Sequence, residues 1–254
     1  MSKSNWTRDE LILAYNLYCK TPFGRIHTHN PAIIELAKLI GRTPSAVSWK
    51  LANFASLDPV LKDRDISGAT HSSKLDLEIW DEFKDDWTQL SYESEKLLAN
   101  LVGKPIEEIS EIETGDLPEG KEREGIVKIR VNQSFFRKAV LAAYGSSCCV
   151  TGLNIPELLN ASHIVPWSRN TENRVNPTNG ICLNALHDRA FDRGLITITP
   201  EYKIRVSPTI NRSENDDMTQ KFLWQYDGIS IRLPSRFKPE KEFLTFHNDN
   251  VFKK

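Results

Sequence analysis

The stretch ASHIVPWSRNTENRVNPTNGICLNALHDRAFDRGLITI, residues 161–198, decides the reading of the C-terminal half of the chain. A strand-like run ends in Ser162-His163-Ile164. A polar loop follows and closes at Asn179-Gly180. ICLN, residues 181–184, reads as a short strand, and a helix opens near His187. Short apolar runs bounded by turn residues are the pattern of a β-hairpin. Strand alternation puts Asn160 and Ser162 on one face. Taken alone, His163 reads as a strand histidine bonded to backbone. With Asn179 and His187 following it across a hairpin and a helix, the three read as a site.

Working outward, YGSSCCVTG precedes this stretch, and DGISIRLP and FHNDNVFKK follow it. Together with DRAFDRGLITI they resemble the His-Asn-His (HNH) nuclease family, in the form found in bacterial proteins of restriction type. The resemblance covers residues 126–254. It implies a ββα-metal fold, a hairpin and a helix around one divalent metal ion. In that resemblance His163 is the general base that takes a proton from water. A neutral imidazole suits this, since an ordinary His titrates at about 6.5. Asn179 matches the middle Asn, which holds the loop so that the base is aimed. Its amide suits the task because it donates and accepts at once. His187 matches a metal-ligand position.

One position departs from the family pattern. Many HNH nucleases carry an acidic residue or His just before the base, and here it is Ser162. The second ligand is then Ser162, Asn160, a carboxylate such as Asp192, or only water and phosphate. Mg²⁺ or Mn²⁺ is the implied cofactor, with Ni²⁺ or Zn²⁺ compatible with imidazole. Arg189 and Arg193 either steady the phosphate or pair with Asp188 or Asp192.

A second constellation, IIELAKLIGRTPSAVSWKLANF at residues 33–54, has helix-turn-helix spacing. Ala37 is the small residue, Gly41 the turn and Val47 the anchor, with Leu36 and Ile40 completing the inner face. Gly41 caps the first helix. Thr43 and Pro44 open the second as N-cap and first residue. This resembles the pattern of many DNA-binding proteins, with Arg42 where an apolar residue is common. Arg42, Ser45, Ser48, Trp49 and Lys50 are then the expected DNA-binding face. A plain αα-hairpin has the same spacing. Upstream, Thr7 and Glu10 form a capping-box pattern before an apolar helix.

Charge divides the chain further. Residues 1–60 hold 7 basic and 4 acidic groups, residues 61–125 hold 8 and 18, and residues 126–254 hold 18 and 12. Nucleic acid is thus expected at either end and avoided by the middle, although a solvated acidic helix gives the same count. Residues 58–75 read as a loop and 76–102 as one long helix, with Trp80, Phe83 and Trp87 a packing face. Residues 103–125 read as a Gly/Pro-rich linker. IVKIRV, from Ile126, alternates like a strand, and QSFFRKAVLAAYG reads as a helix. Gln133 and Arg137 on it are either DNA contacts or plain surface.

The remaining features exclude other classes. With 39% hydrophobic and 26% charged residues the 254-residue chain is neither wholly disordered nor membrane-embedded. No apolar run approaches the roughly 20 residues of a bilayer span. MSKSNWTRDE carries no apolar stretch of a signal peptide. Cys19, Cys148, Cys149 and Cys182 form no C-x-x-C pair, so the cytoplasm is the expected compartment. Cys149 and Cys182 read as core, His247 as structural, and His27, His29 and His71 as loop residues without a role.

The reading is therefore an α+β protein in three parts. Residues 1–57 form a helix-turn-helix-like module, 58–125 an acidic helical connector, and 126–254 an HNH endonuclease domain. Its expected function is metal-dependent hydrolysis of double-stranded DNA, modified or not, in restriction or phage defence. Double-strand cleavage by a single-site nuclease implies a homodimer or two sequential nicks. The alternatives are a DNA-binding regulator with an inactive HNH core, or a homing or toxin nuclease.

Overall fold

The computed structural model describes residues 5–62, 72–110, 112, 120–210 and 217–254. It divides into two compact units, Met1–Ala142 and Ala143–Lys254.

The first unit is helical: α1 Arg8–Lys20, α2 Pro31–Leu39, α3 Pro44–Leu57, α4 Pro59–Lys62, α5 Lys74–Phe83, α6 Trp87–Val102, α7 Ile106–Ile109 and α8 Lys121–Ala143. The Thr7 hydroxyl accepts from the Glu10 N–H, and the Glu10 carboxylate accepts from the Thr7 N–H, closing the capping box that starts α1. Leu11, Ile12, Ala14, Tyr15, Tyr18 and Cys19 are all buried. So much buried surface on one helix requires neighbours on several sides, and α2, α3, α5 and α6 all pack on α1. Tyr15 stacks on Phe54 at 4.8 Å and meets Trp80 at 5.3 Å and Trp87 at 6.4 Å.

This packing revises the expected boundaries. The acidic connector is not separate from the helical module, because α5 and α6 supply part of one core with α1. The compact units divide after Ala142, not at 57 or 125. The long helix expected over 76–102 is two. Asp86 caps α6 by accepting from the Gln89 N–H at 2.9 Å, which ends the continuity after Phe83. The strand expected at 126–131 is helical, inside α8. Val127, Val131 and Phe135 are buried at a spacing of four, and the two-residue alternation of IVKIRV is a short sample of that longer helical period. The expected loop at 58–75 and linker at 103–125 fall partly on residues 63–71, 111 and 113–119, which lie outside the described residues, as does His71.

Helices α2 and α3 join as the spacing predicts. Gly41 has φ +67, the Arg42 N–H returns to the Ala37 carbonyl at 2.8 Å, and the Thr43 hydroxyl caps α3 with Pro44 next. Two of the expected DNA contacts turn inward, however. The Arg42 side chain is 5% exposed, donates twice to Glu10 Oε2, at 3.1 and 2.7 Å, and lies 4.1 Å over the Trp6 ring. Lys50 is buried, with Nζ 2.8 and 2.9 Å from the two oxygens of Asp76, which also accepts from Asn53 and from the Ser73 backbone. A buried carboxylate with no cation is costly, so both cations are held by Glu10 on α1 and Asp76 on α5. Ser45 and Trp49 remain exposed, Trp49 at 62%, and Ser48 is half-buried.

The second unit is built on two antiparallel pairs. β1 Leu159–His163 pairs with β2 Gly180–Asn184, His163 opposite Gly180 and Ser162 opposite Ile181. The helix α9 Ala185–Asp192 follows directly and packs on both strands. β3 Ile196–Ile198 pairs with β4 Ile204–Val206, and α10 Asp217–Phe222 and α11 Lys241–Asn250 complete the unit. Cys148, Cys149 and Cys182 are buried free thiols, and burial pushes the Cys149 thiol up. His247 clasps α11 to the centre. Its ring stacks on Phe191 at 3.7 Å, Nε2 donates to the Phe191 carbonyl and Nδ1 accepts from the Thr197 hydroxyl. At Gly194, φ is +68 and an added Cβ would stand 2.0 Å from the Val251 carbonyl oxygen, so only glycine lets the C-terminal residues close on that turn.

Candidate active site

The loop between β1 and β2 is held from inside by Asn179. Its Oδ1 accepts from the Val165 N–H at 2.8 Å, and its Nδ2 donates to the carbonyls of Asn173 at 3.1 Å and Val165 at 3.3 Å. The Asn179 carbonyl accepts from the Ile164 N–H at 2.9 Å. The side chain is buried and uses both faces of its amide, a task only an Asn-like group performs.

His163 stands at the end of β1, at the mouth of this loop. Its Nε2 donates to the Arg174 carbonyl at 2.9 Å, and the edge of Trp167 lies 5.5 Å from its ring. The carbonyl can only accept, so in the neutral ring the proton sits on Nε2 and the lone pair on Nδ1. Partial burial, assisted by the Arg174 charge, holds its pKa below the ordinary histidine value. The imidazole is therefore neutral at pH 7 and able to take a proton.

Helix α9 begins with Asn184, which accepts from the His187 N–H at 2.9 Å and from His187 Nδ1 at 3.0 Å. The ring is buried with its edge toward Tyr226 at 5.5 Å, and burial lowers its pKa. Asp188, the next residue, turns to β1. Its carboxylate accepts from Asn160 Nδ2 at 2.7 Å and from the Ser162 hydroxyl. The shared face of Asn160 and Ser162 thus exists, and Asp188 occupies it.

Of the expected ligand pair, Ser162 is engaged by a carboxylate and His187 is held at the start of α9. The Ser162 hydroxyl donates to Asp188, while His187 Nδ1 donates to Asn184 and its Nε2 lone pair is buried without a hydrogen-bond partner among the described residues. Among the described residues, no three His, Cys, Asp or Glu side chains gather to hold an ion. The oxygen donor aimed at the hairpin is Asp188. One turn on, burial and the charge of Asp188 raise the Asp192 carboxyl above the usual range. A hard cation that keeps several waters and needs one or two carboxylates plus phosphate suits this donor set. In the sequence Asp188 stands out only as a partner for arginine, and the one signal of its place is the Asn160/Ser162 alternation. Arg189 is exposed on α9. An apolar cavity of about 780 Å³, lined by Leu158, Leu186, Phe222 and Tyr226 among others, contains none of His163, Asn179 or Asp188.

With this geometry in hand, the family comparison falls on the same segment. Residues 148–199 match the family model described as HNH endonuclease. The match takes in β1, the loop, β2, α9 and β3, about a fifth of the chain. No curated protein matches the chain. No helix among the described residues is long and apolar enough to cross a membrane.

Proposed function

We propose that the chain hydrolyses phosphodiester bonds of DNA, with His163 as general base. The observation that carries this reading is the bond from His163 Nε2 to the Arg174 carbonyl at 2.9 Å, which sets the neutral tautomer with its basic lone pair on Nδ1. Asn179 keeps the loop, and so the base, in place. Asp188, with Asp192 a turn away, would hold a divalent cation of the Mg²⁺ or Mn²⁺ type. When bound, that ion supplies charge stabilisation of the phosphate and the leaving oxygen. Arg189, exposed on the same helix, contacts the DNA backbone.

In the helical unit the DNA-reading surface is the outer face of α3, with Ser45, Ser48 and Trp49, and without Arg42 and Lys50. The role we infer is restriction or defence, with recognition in this unit and cutting in the other. The test is nicking of supercoiled plasmid, unmodified and base-modified, in Mg²⁺ or Mn²⁺. Wild type should convert plasmid to the open-circular form, and His163→Ala should lose that activity while still binding DNA. A His163→Ala protein that cuts at the wild-type rate removes His163 from the role. Binding without cleavage by the wild type favours the inactive-core regulator.

A further inference from the structure

Arg174 sits in the polar loop opposite the base, and its backbone and side chain do different things. Its carbonyl receives the His163 Nε2 proton. Its guanidinium Nε donates to the Trp167 carbonyl at 2.9 Å, and the guanidinium lies 4.9 Å over the Trp167 ring. That same ring meets His163 edge-on. Arg174, Trp167 and His163 therefore form one cluster at the mouth of the hairpin.

The loop that carries Arg174 is tied down on both sides. Asn170 Oδ1 accepts from the Glu172 and Asn173 N–H groups, each at 3.1 Å, and Asn176 donates to Asn173 Oδ1 at 3.2 Å. Asn179 grips the Asn173 carbonyl just before Arg174. One face and Nε of the guanidinium are used in this support. No carboxylate among the described residues forms an ion pair with the group. An arginine immobilised in advance, with its terminal N–H fork not matched to a carboxylate, is built to meet an anion at low entropic cost.

We propose that Arg174 binds a phosphate of the DNA beside His163, so that one residue aims the base through its carbonyl and holds the substrate through its side chain. This rests on the nuclease reading of the site. The other role open to Arg174 is that of a strut, holding Trp167 and touching no substrate.

The two roles separate by salt dependence, measured with duplex DNA in the cleavage-silent His163→Ala background. A phosphate contact contributes about 0.9 to the slope of log affinity against log salt. Adding Arg174→Gln should lower the slope by that amount, and Arg174→Lys should restore it. Arg174→Met keeps the aliphatic stem over Trp167 and serves the same purpose if the glutamine variant does not fold, as judged by thermal melting. With His163 present, the folded neutral variant should lose roughly 100-fold in kcat/KM for nicking, and lysine should recover part of it because it carries charge but no fork. An unchanged salt slope in a folded Gln or Met variant overturns the proposal and leaves Arg174 a strut. Absence of cleavage by the wild type is a separate result. It removes the nuclease reading, while the slope still decides whether Arg174 meets phosphate.

Discussion

The Ser162 hydroxyl donates to the Asp188 carboxylate across the β1–α9 junction, and Asn160 donates to the other oxygen of the same group at 2.7 Å. The strand position of Ser162 is thus a donor that orients a carboxylate on the helix.

Asp188→Asn should therefore abolish metal-dependent nicking and weaken Mn²⁺ binding measured by calorimetry at least tenfold. His187→Ala should leave Mn²⁺ affinity within a few-fold. It should instead lower stability by about 2 kcal/mol, through the lost Nδ1 bond to Asn184 and an emptied buried site. Loss of Mn²⁺ binding in His187→Ala with none in Asp188→Asn would reverse the assignment.

Asn179→Ala removes one accepting and two donating contacts and leaves buried backbone groups of Val165 and Asn173 unmatched. The expected cost is about 3 kcal/mol, given roughly 1–3 kcal/mol for an unsatisfied buried group. Hydrogen exchange should show the loss of protection concentrated at Ile164 and Val165. Asn179→Asp keeps the acceptor but not the donors, and should open the loop on the Asn173 side first.

Lys50→Ala strands the Asp76 carboxylate in a dry site and should cost about 3–5 kcal/mol in urea unfolding of the helical unit. Replacing both, as Lys50→Met with Asp76→Leu, should recover most of it. In neither case should the salt dependence of DNA binding change, since Lys50 faces Asp76 and not solvent. A flatter salt slope in the folded double variant would show that Lys50 meets phosphate after all.

His247 is buried and its pKa falls to about 4, with burial the main cause. In the unfolded chain a histidine titrates near 6.5. Between those values the unfolded state binds more protons, so stability is fully present above about 6.5 and is lost as pH falls toward 4. The loss from this residue amounts to about 3 kcal/mol. His163 and His187 are shifted in the same direction and add to it. A His247→Leu variant should be less stable at pH 7.5 but show a shallower decline toward pH 4.5. Parallel stability curves for the two proteins would place the acid sensitivity elsewhere.

What the sequence determined by itself is local. Thr7, Thr43 and Asn179-Gly180 act within a few residues, through capping and turn geometry, and the helix starts and the hairpin they mark are found where spacing put them. The order His163, Asn179, His187 likewise located the segment that matches the HNH model. Tertiary structure decided everything that depends on what lies across from a side chain. Six residues of IVKIRV alternate like a strand, yet Val127, Val131 and Phe135 share one buried helical face that only the longer period shows. Arg42 and Lys50 have the charge and spacing of a DNA-reading helix, but Glu10 and Asp76 claim them, from positions 32 residues before and 26 residues after in the chain. His187 and Asp188 are adjacent, and either type of side chain can ligate a metal. The helical turn of about 100° between neighbours sends the aspartate to Ser162 and Asn160 and the histidine into the interior, a choice set by where α9 packs on the hairpin.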